Sequence, residues 1–218
     1  MPVRLRRNKR ARRLILRLDG DEGGVVVTLP PGSGPAEALD LVARQRTWIV
    51  DQLAALRPRV RFADGAVVPV LGVDHLIRHR PGSGLPVETG DGEIIVAGRA
   101  EHLPRRLGDW LRGEARRQIE PRVETLSGRL GRRAGRITLR DPRTRWASCA
   151  ADGGLSFSWR LVMAPEPVLT YVVAHEVAHL AERGHGPAFW SLVGDLTDGV
   201  DEARAWLRRD GPALHRYG

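Results

Sequence analysis

The residues best suited to chemistry in this chain lie in one short segment, residues 175–185. His175, Glu176 and His179 form an HExxH pattern, and His185 follows six positions after His179. Side chains four positions apart lie on the same face of an α-helix, so two imidazoles at this spacing can bind one Zn²⁺. Glu176, beside the first histidine, can reach a metal-bound water without binding the metal. The spacing therefore predicts two ligands, a general base and an open position for water, as in a hydrolytic zinc site.

The alternative is a helix with two incidental histidines and a surface glutamate. The surrounding sequence favours the metal site, because residues 168–183 are mostly apolar and predict a buried helix. Two histidines and a glutamate are costly in such a helix unless something satisfies them. Residues 164–167, Ala-Pro-Glu-Pro, signal the start of this helix, and Gly184 signals its end.

A catalytic zinc site normally takes three protein ligands, so a third is expected. His185 follows the predicted helix end, and a short turn can fold it back toward the first two histidines. Glu202, 23 positions after His179, is a rival that could return from a following helix as a carboxylate ligand. We favour His185. Cys149, the single cysteine, allows no internal disulfide and is expected to be a small packed residue and not a ligand.

A predicted β-hairpin comes directly before the motif helix. Its strands cover residues 145–149 and 155–161, after a strand at 137–139, with a turn at 151–154. Alternation predicts that Leu155, Phe157, Trp159 and Leu161 face the core, and that Ser156, Ser158 and Arg160 face away from it. Such a hairpin could bind an extended peptide at its edge by strand addition. A purely structural hairpin is the alternative.

The remaining elements are predicted from periodicity and from turn residues. A hairpin of strands 13–18 and 25–29, joined by a turn at 19–24, is followed by a helix at 35–56 whose apolar stripe places Trp48 and Leu56 in the core. Strands follow at 66–71, 75–80 and 93–97, then a long helix from Pro104 to Leu130 that Pro121 should kink or divide, and a helix at 188–196. The domain boundary is predicted near residue 100.

Two further histidines, His75 and His79, are also four positions apart. Their segment predicts a strand, in which residues four apart lie about 13 Å from each other and cannot share an ion. They are predicted to be surface residues.

Composition places the chain among soluble globular proteins, with 42% hydrophobic and 28% charged residues in a total of 218. No apolar run approaches the roughly 18 residues that a membrane span needs. The basic amino terminus lacks the apolar stretch of a signal peptide, so a cytoplasmic location is predicted. The sequence does not fix the oligomeric state.

The net charge of +9 is unevenly distributed. Residues 1–17 carry eight basic residues and no acid, and residues 105–145 carry 13 arginines against five acids. These two basic segments could bind an anionic partner such as nucleic acid. They could also be solvated faces of an arginine-rich protein, since Lys9 is the only lysine. We favour solvated faces because no nucleic-acid motif accompanies the charge.

Several motifs together resemble the YgjP-like family of zinc metallopeptidases, relatives of the SprT-like zincins. They are Arg145-Trp-Ala-Ser-Cys149, Trp159-Arg-Leu161, the HExxH segment followed by Leu180, and His185 with Phe189-Trp190. The resemblance spans essentially the whole chain. One departure is Ala147, where the family usually has glycine. The metzincins are excluded, because Glu182 stands at their glycine position and no methionine follows Met163.

The resemblance implies an α+β fold with two parts. Residues 101–218 would form a zincin-like catalytic domain, in which the HExxH helix packs on a small antiparallel sheet. Residues 1–100 would form an α+β subdomain of strands and one amphipathic helix. One zinc ion would be bound by His175, His179 and His185, with Glu176 as catalytic base and a peptide or protein as substrate.

Three functions are weighed. A zinc metallopeptidase is favoured, with Glu176 taking a proton as water attacks a polarised carbonyl. A nucleotide pyrophosphohydrolase using the same water is the first alternative, and a nucleic-acid-binding module with a structural zinc site is the second. Arg145, Arg160 and Tyr171 are candidates by type to stabilise the oxyanion, and none of them is assigned.

Overall fold

The chain divides into two compact units, Met1–Arg59 and Val60–Gly218. This computed structural model describes residues 1–19, 24–55, 58–82 and 84–218. The domain boundary predicted near residue 100 falls inside the second unit. The strands between residues 60 and 100 group with that unit because they pack on its longest helix.

The first unit contains a three-stranded sheet and two helices. Its elements are β1 (Val3–Arg7), β2 (Ile15–Asp19), β3 (Gly24–Leu29), α1 (Pro35–Arg44) and α2 (Arg46–Ala55). The strand order is β1-β3-β2, with β1 parallel and β2 antiparallel to β3. Strand β3, rich in valine, supplies half of the small core, with Val25, Val27 and Leu29 buried beside Ala38, Val42 and Ile49.

The predicted hairpin of β2 and β3 is confirmed, while the single helix predicted at 35–56 is wrong. The first helix ends at Arg44, with Gln45 as its C-cap residue, and a second helix begins at Arg46. Ile49 is buried, whereas Trp48 is 46% exposed, so the predicted core position of Trp48 is also wrong. Residues 20–23 of the predicted turn, and Leu56, lie outside the described residues. Strand β1 was not predicted. Four of its five residues are exposed, so the strand has no buried apolar face to reveal it.

A four-stranded sheet opens the second unit. It consists of β4 (Val67–Val70), β5 (Val73–Arg80), β6 (Val87–Gly90) and β7 (Glu93–Ala97), in the order β4-β5-β7-β6. Two-residue turns with positive φ join β4 to β5 at Leu71-Gly72 and β6 to β7 at Asp91-Gly92. The first turn touches the motif helix, because a Cβ at Gly72 would lie 2.9 Å from Pro165 Cα. This close approach excludes any larger residue.

Helix α3 (Leu103–Arg129) runs uninterrupted through Pro121, so the predicted division does not occur. Pro121 is exposed, which allows water to satisfy the carbonyl that lacks an N–H partner. The opposite face supplies the predicted core stripe of Leu107, Leu111, Ala115, Ile119, Val123 and Leu126.

A second three-stranded sheet follows, formed by β8 (Ile137–Arg140), β9 (Ala147–Cys149) and β10 (Leu155–Ser158). Strand β10 lies in the middle, antiparallel to β9 and parallel to β8, so the sheet is mixed and not purely antiparallel. Strand β10 ends at Ser158, where a 3₁₀ helix begins (Trp159–Met163). The predicted alternation through residue 161 is therefore wrong, and Ser158 and Arg160 are buried.

Helix α4 (Glu166–Ala178) is the centre of the second unit, and it contacts α3, β9 and two later helices. Those helices are α5 (Pro187–Leu196) and α6 (Val200–Arg209), and a 3₁₀ helix (Gly211–Arg216) ends the chain. Helix α4 stops five residues before the predicted end at residue 183. Among the described residues, no helix is both long and apolar enough to cross a membrane. The α+β class is confirmed.

Candidate metal centre

Helix α4 brings the two motif histidines together at its carboxyl end. His175 lies in the last turn, His179 is the C-cap residue with helical backbone angles, and both are half-buried. Their ring centroids are 5.0 Å apart. Most of the other α4 residues are buried and apolar, so the helix is held by packing on several sides. The position of the histidines is therefore fixed by the core and not by the loop that follows.

The loop after α4 returns His185 to the same place. Its Nε2 lies 3.2 Å from His175 Nε2, and one ligand atom from each of the three histidines lies within 4.8 Å of the others. Glu202 is exposed in the first turn of α6, and within the described residues it belongs to no metal-ligand cluster. Cys149, His75 and His79 are likewise outside the cluster.

This geometry fits a tetrahedral metal. With ligand bonds of 2.0–2.1 Å, two nitrogens on tetrahedral zinc are separated by about 3.3 Å. Nδ1 of His179 is 2.9 Å from the Glu182 carbonyl oxygen, and donation from this nitrogen leaves Nε2 free to bind a metal. His175 Nδ1 faces the Tyr171 hydroxyl at 3.5 Å. Burial, aided by the neighbouring imidazoles, lowers the pKa of His175 to about 4, so the ring is neutral at pH 7 and can act as a ligand.

Phe189 forms an apolar floor under the cluster. It is 1% exposed, and its ring stacks on His179 at a centroid distance of 4.5 Å and meets the edges of His175 and His185 at 4.9 and 4.7 Å. Trp190 borders the rings of His175 and His185, each at a centroid distance of 5.9 Å. The sequence analysis identified Phe189 and Trp190 only as part of the motif that follows His185. Their spacing after His185 gave no sign that they contact the imidazoles.

Glu176 is only 6% exposed and lies between His175 and His179 in the sequence. Burial raises the pKa of this carboxyl to about 7, while the positive charge of Arg145 and the backbone N–H of Cys149 act against that rise. A carboxyl with a pKa near neutrality can take and return a proton at physiological pH. The side chain is thus suited to general acid and base work.

The three oxyanion candidates lie in different surroundings. Arg160 is buried, and its guanidinium already has partners within the protein. It pairs with both carboxylate oxygens of Asp141 and donates to the carbonyls of Leu214 and Tyr217. Tyr171 faces Nδ1 of His175, away from the nitrogen that approaches His185. Arg145 is exposed, and its charge acts on Glu176.

Cys149 is half-buried at the end of β9, and its Sγ lies 3.5 Å from the Ala150 carbonyl oxygen. Burial raises the pKa of this thiol, and the charge of Glu176 adds to the rise. A thiol with a raised pKa is a weak nucleophile at neutral pH. This agrees with the predicted packing role.

The arginines of α3 are largely neutralised within the protein. Arg105 and Arg112 both pair with Asp109, and the helix also contains the pairs Arg116–Glu120 and Arg117–Glu114. Arg122 pairs with Glu166, and Arg129 donates to the carbonyls of Asp195 and Leu196. This part of the basic segment 105–145 therefore offers little free charge to nucleic acid.

Comparisons with known proteins agree with the resemblance read from the motifs. The model of the YgjP-like family, metallopeptidase domain, matches residues 12–210. No curated protein matches the chain. The crystal structure of the metallopeptidase zymogen of Pyrococcus abyssi abylysin is 21% identical, with a TM-score of 0.38, and the match covers 42% of this chain and 94% of that one. A likeness this weak supports no conclusion about fold or function. The family match covers most of the sequence, and the chain belongs to the YgjP-like metallopeptidase-domain family.

Proposed function

We propose that this protein is a zinc-dependent peptidase with one zinc ion per chain. The observation that carries the proposal is the convergence of His175, His179 and His185 beside a buried Glu176. Three imidazole nitrogens are a donor set suited to Zn²⁺. Family membership supports a metal-dependent peptidase, with a peptide or protein as substrate.

A zinc ion held by His175, His179 and His185 would supply Lewis acidity toward a water molecule and a substrate carbonyl. Glu176 accepts the proton that the water gives up as it attacks the substrate carbonyl. The same carboxyl then passes the proton to the leaving amine. Its pKa of about 7 suits both transfers near neutral pH. The Glu182 carbonyl holds the His179 ring, and Phe189 excludes water from beneath the imidazoles.

Strand β9 is the proposed site for the peptide backbone. It is one of the two edge strands of its sheet, and it contacts α4. An extended peptide that adds to this edge would place its backbone next to the HExxH helix. The hairpin of β9 and β10 is therefore part of the proposed peptide-binding site.

A structural zinc site in a binding module is disfavoured by the ligand count. Among the described residues the cluster has three ligands, whereas a structural site is normally closed by a fourth. Such a site also has no need for a buried carboxyl such as Glu176 beside the ligands.

The substitution Glu176→Gln tests the proposal. It keeps the size of the side chain and removes its ability to accept a proton, so zinc content should match wild type while cleavage of an unfolded protein falls by about 10²- to 10⁴-fold. Zinc content is measured by mass spectrometry of the metal. Full activity in the variant would overturn the role of Glu176, and hydrolysis of nucleoside triphosphates without any peptide cleavage would replace the proposed substrate class.

A further inference from the structure

The free edge of β9 (Ala147–Cys149) passes directly beside Glu176. Within the described residues β9 pairs with β10 and with no other strand. The backbone N–H of Cys149 lies close enough to the Glu176 carboxyl to oppose the rise of its pKa that burial causes. A peptide paired with this edge therefore carries its side chains past the proposed general base, and the residues flanking β9 meet the side chains on either side of the cleaved bond.

An exposed arginine stands at each end of this strand. Arg145 lies two positions before Ala147, and its charge reaches the Glu176 carboxyl. Arg183 comes from the loop after α4, and its Nη2 donates to the Ala151 carbonyl at 3.0 Å, two positions beyond Cys149. The Arg183 guanidinium is thus held near one end of β9, while Arg145 precedes the other end of the strand in the sequence.

The segment that leads into β9 carries positive charge that ion pairs do not neutralise within the described residues. Part of this segment lies on and before β8, at the opposite edge of the sheet from β9. Residues 132–145 contain six arginines and one acid, Asp141, which is occupied by Arg160. All six are exposed, and none forms an ion pair within the described part of the chain: Arg132, Arg133, Arg136, Arg140, Arg143 and Arg145. Asp152 lies nearby, and its Oδ1 accepts the Gly154 N–H at 2.9 Å. Most arginines of α3, by contrast, form ion pairs. Residues 132–145 therefore retain an excess of positive charge.

We propose that the β9 edge, flanked by Arg145 and Arg183, selects peptide segments that carry acidic side chains on both sides of the cleaved bond. This inference rests on the proposed peptidase function and adds a substrate class to it. Arg145 and Ala151 lie two positions outside this three-residue strand, one beyond each end. Carboxylates two or three residues from the cleaved bond can reach these guanidinium groups, which bind carboxylates through paired N–H donors.

The test measures binding and cleavage separately. Zinc-loaded Glu176→Gln protein is titrated with a labelled peptide that carries two glutamates on each side of its centre, and with the same peptide in which glutamine replaces every glutamate. Fluorescence anisotropy should show about tenfold tighter binding of the acidic peptide at low salt, with the difference shrinking as salt screens the charges. Adding Arg145→Gln with Arg183→Gln should reduce the preference to less than about threefold.

Arg99→Gln is the matched control. It removes one positive charge from a side chain that is 77% exposed and pairs with Glu101, outside the segment at β9. The preference for the acidic peptide should survive in this variant. Equal binding of the two peptides, or a preference that persists without Arg145 and Arg183, overturns the inference. An oligonucleotide of equal charge that binds through these arginines while the acidic peptide does not also overturns it.

Cleavage by wild type separates this inference from the proposed function. Tight binding of the acidic peptide with no cleavage of either peptide overturns the peptidase proposal and leaves the acidic preference standing. Equal cleavage of both peptides, with equal binding, does the reverse.

Discussion

The Nε2 atoms of His175 and His185 lie 3.2 Å apart, although ten positions separate the two residues and they belong to different segments. His175 is fixed by the packed helix α4, whereas His185 is brought back by the loop that follows it. A close approach of two imidazole nitrogens is what a shared metal ion requires. The short distance between the two nitrogens therefore predicts that His185 is the third zinc ligand.

Replacing His185 with alanine should weaken zinc binding by at least about 100-fold, because even residues that only orient a ligand affect affinity by 10- to 100-fold. The affinity is measured by competition with a chelating dye. His75→Ala is the control, since His75 lies on β5 and its Nδ1 faces the Val73 carbonyl. Unchanged affinity in His185→Ala, combined with a loss in Glu202→Gln, would identify Glu202 as the third ligand.

The motif helix was predictable because its signals are local. A four-residue spacing, an apolar run and two prolines at the start identify an element without knowledge of its partners. The end of α4 was not predictable, since Ala181 and Glu182 are ordinary helix residues and the turn after Ala178 serves to return His185. The return of His185 depends on tertiary contacts, which the local sequence does not indicate.

The burial of Arg160 could not be predicted from the sequence for a different reason. Strict alternation from Leu155 predicted a strand in which Arg160 faces away from the core. The chain instead turns into a 3₁₀ helix after Ser158, and the guanidinium is buried against Asp141 and two carbonyls near the carboxyl terminus. The two carbonyls are 54 and 57 positions away from Arg160. No periodicity in the sequence reports a contact over that distance.

Arg160→Lys should destabilise the protein by about 2–4 kcal/mol, because one ammonium cannot replace a planar fork that satisfies a carboxylate and two carbonyls. Urea unfolding measures the change in free energy. Arg209→Lys is the control, since Arg209 is 70% exposed and its pair with Asp210 contributes at most about 1 kcal/mol. Zinc content should be unaffected. Equal stability of the two variants would show that the buried contacts of Arg160 contribute little.

The ion pair of Arg160 and Asp141 also predicts that the stability of the protein depends on pH. Burial alone would raise the pKa of Asp141, but the hydrogen bonds and charge of Arg160 outweigh it and hold that pKa below its usual value. A depressed carboxyl pKa stabilises the fold above the pKa of the unfolded chain, about 3.9, and this contribution is lost as pH falls through the folded value. Wild type should therefore exceed Asp141→Asn in stability at pH 6, and the gap should shrink by pH 3. The gap is modest, as the carboxylate is 45% exposed. A gap of the same size at both pH values would contradict this assignment.

Phe189→Ala should lower both stability and zinc affinity. Removing a fully buried aromatic ring costs about 3–5 kcal/mol, and here the cavity lies directly under the three imidazoles. Ile77→Ala is a comparison of similar cost in the four-stranded sheet, where the side chain is also fully buried. Thermal unfolding and zinc titration are measured on both variants. If the two lose zinc affinity to the same extent, general destabilisation and not the aromatic floor explains the loss.

The central claim is that zinc and Glu176 together hydrolyse peptide bonds. The most direct measurement is cleavage of a diverse peptide library by zinc-loaded wild type beside Glu176→Gln, with new termini identified by mass spectrometry. We expect new termini with wild type that fall by about 10²- to 10⁴-fold in the variant, with acidic residues enriched around the cleaved bond. Zinc-loaded wild-type protein that produces no new termini would contradict the peptidase function.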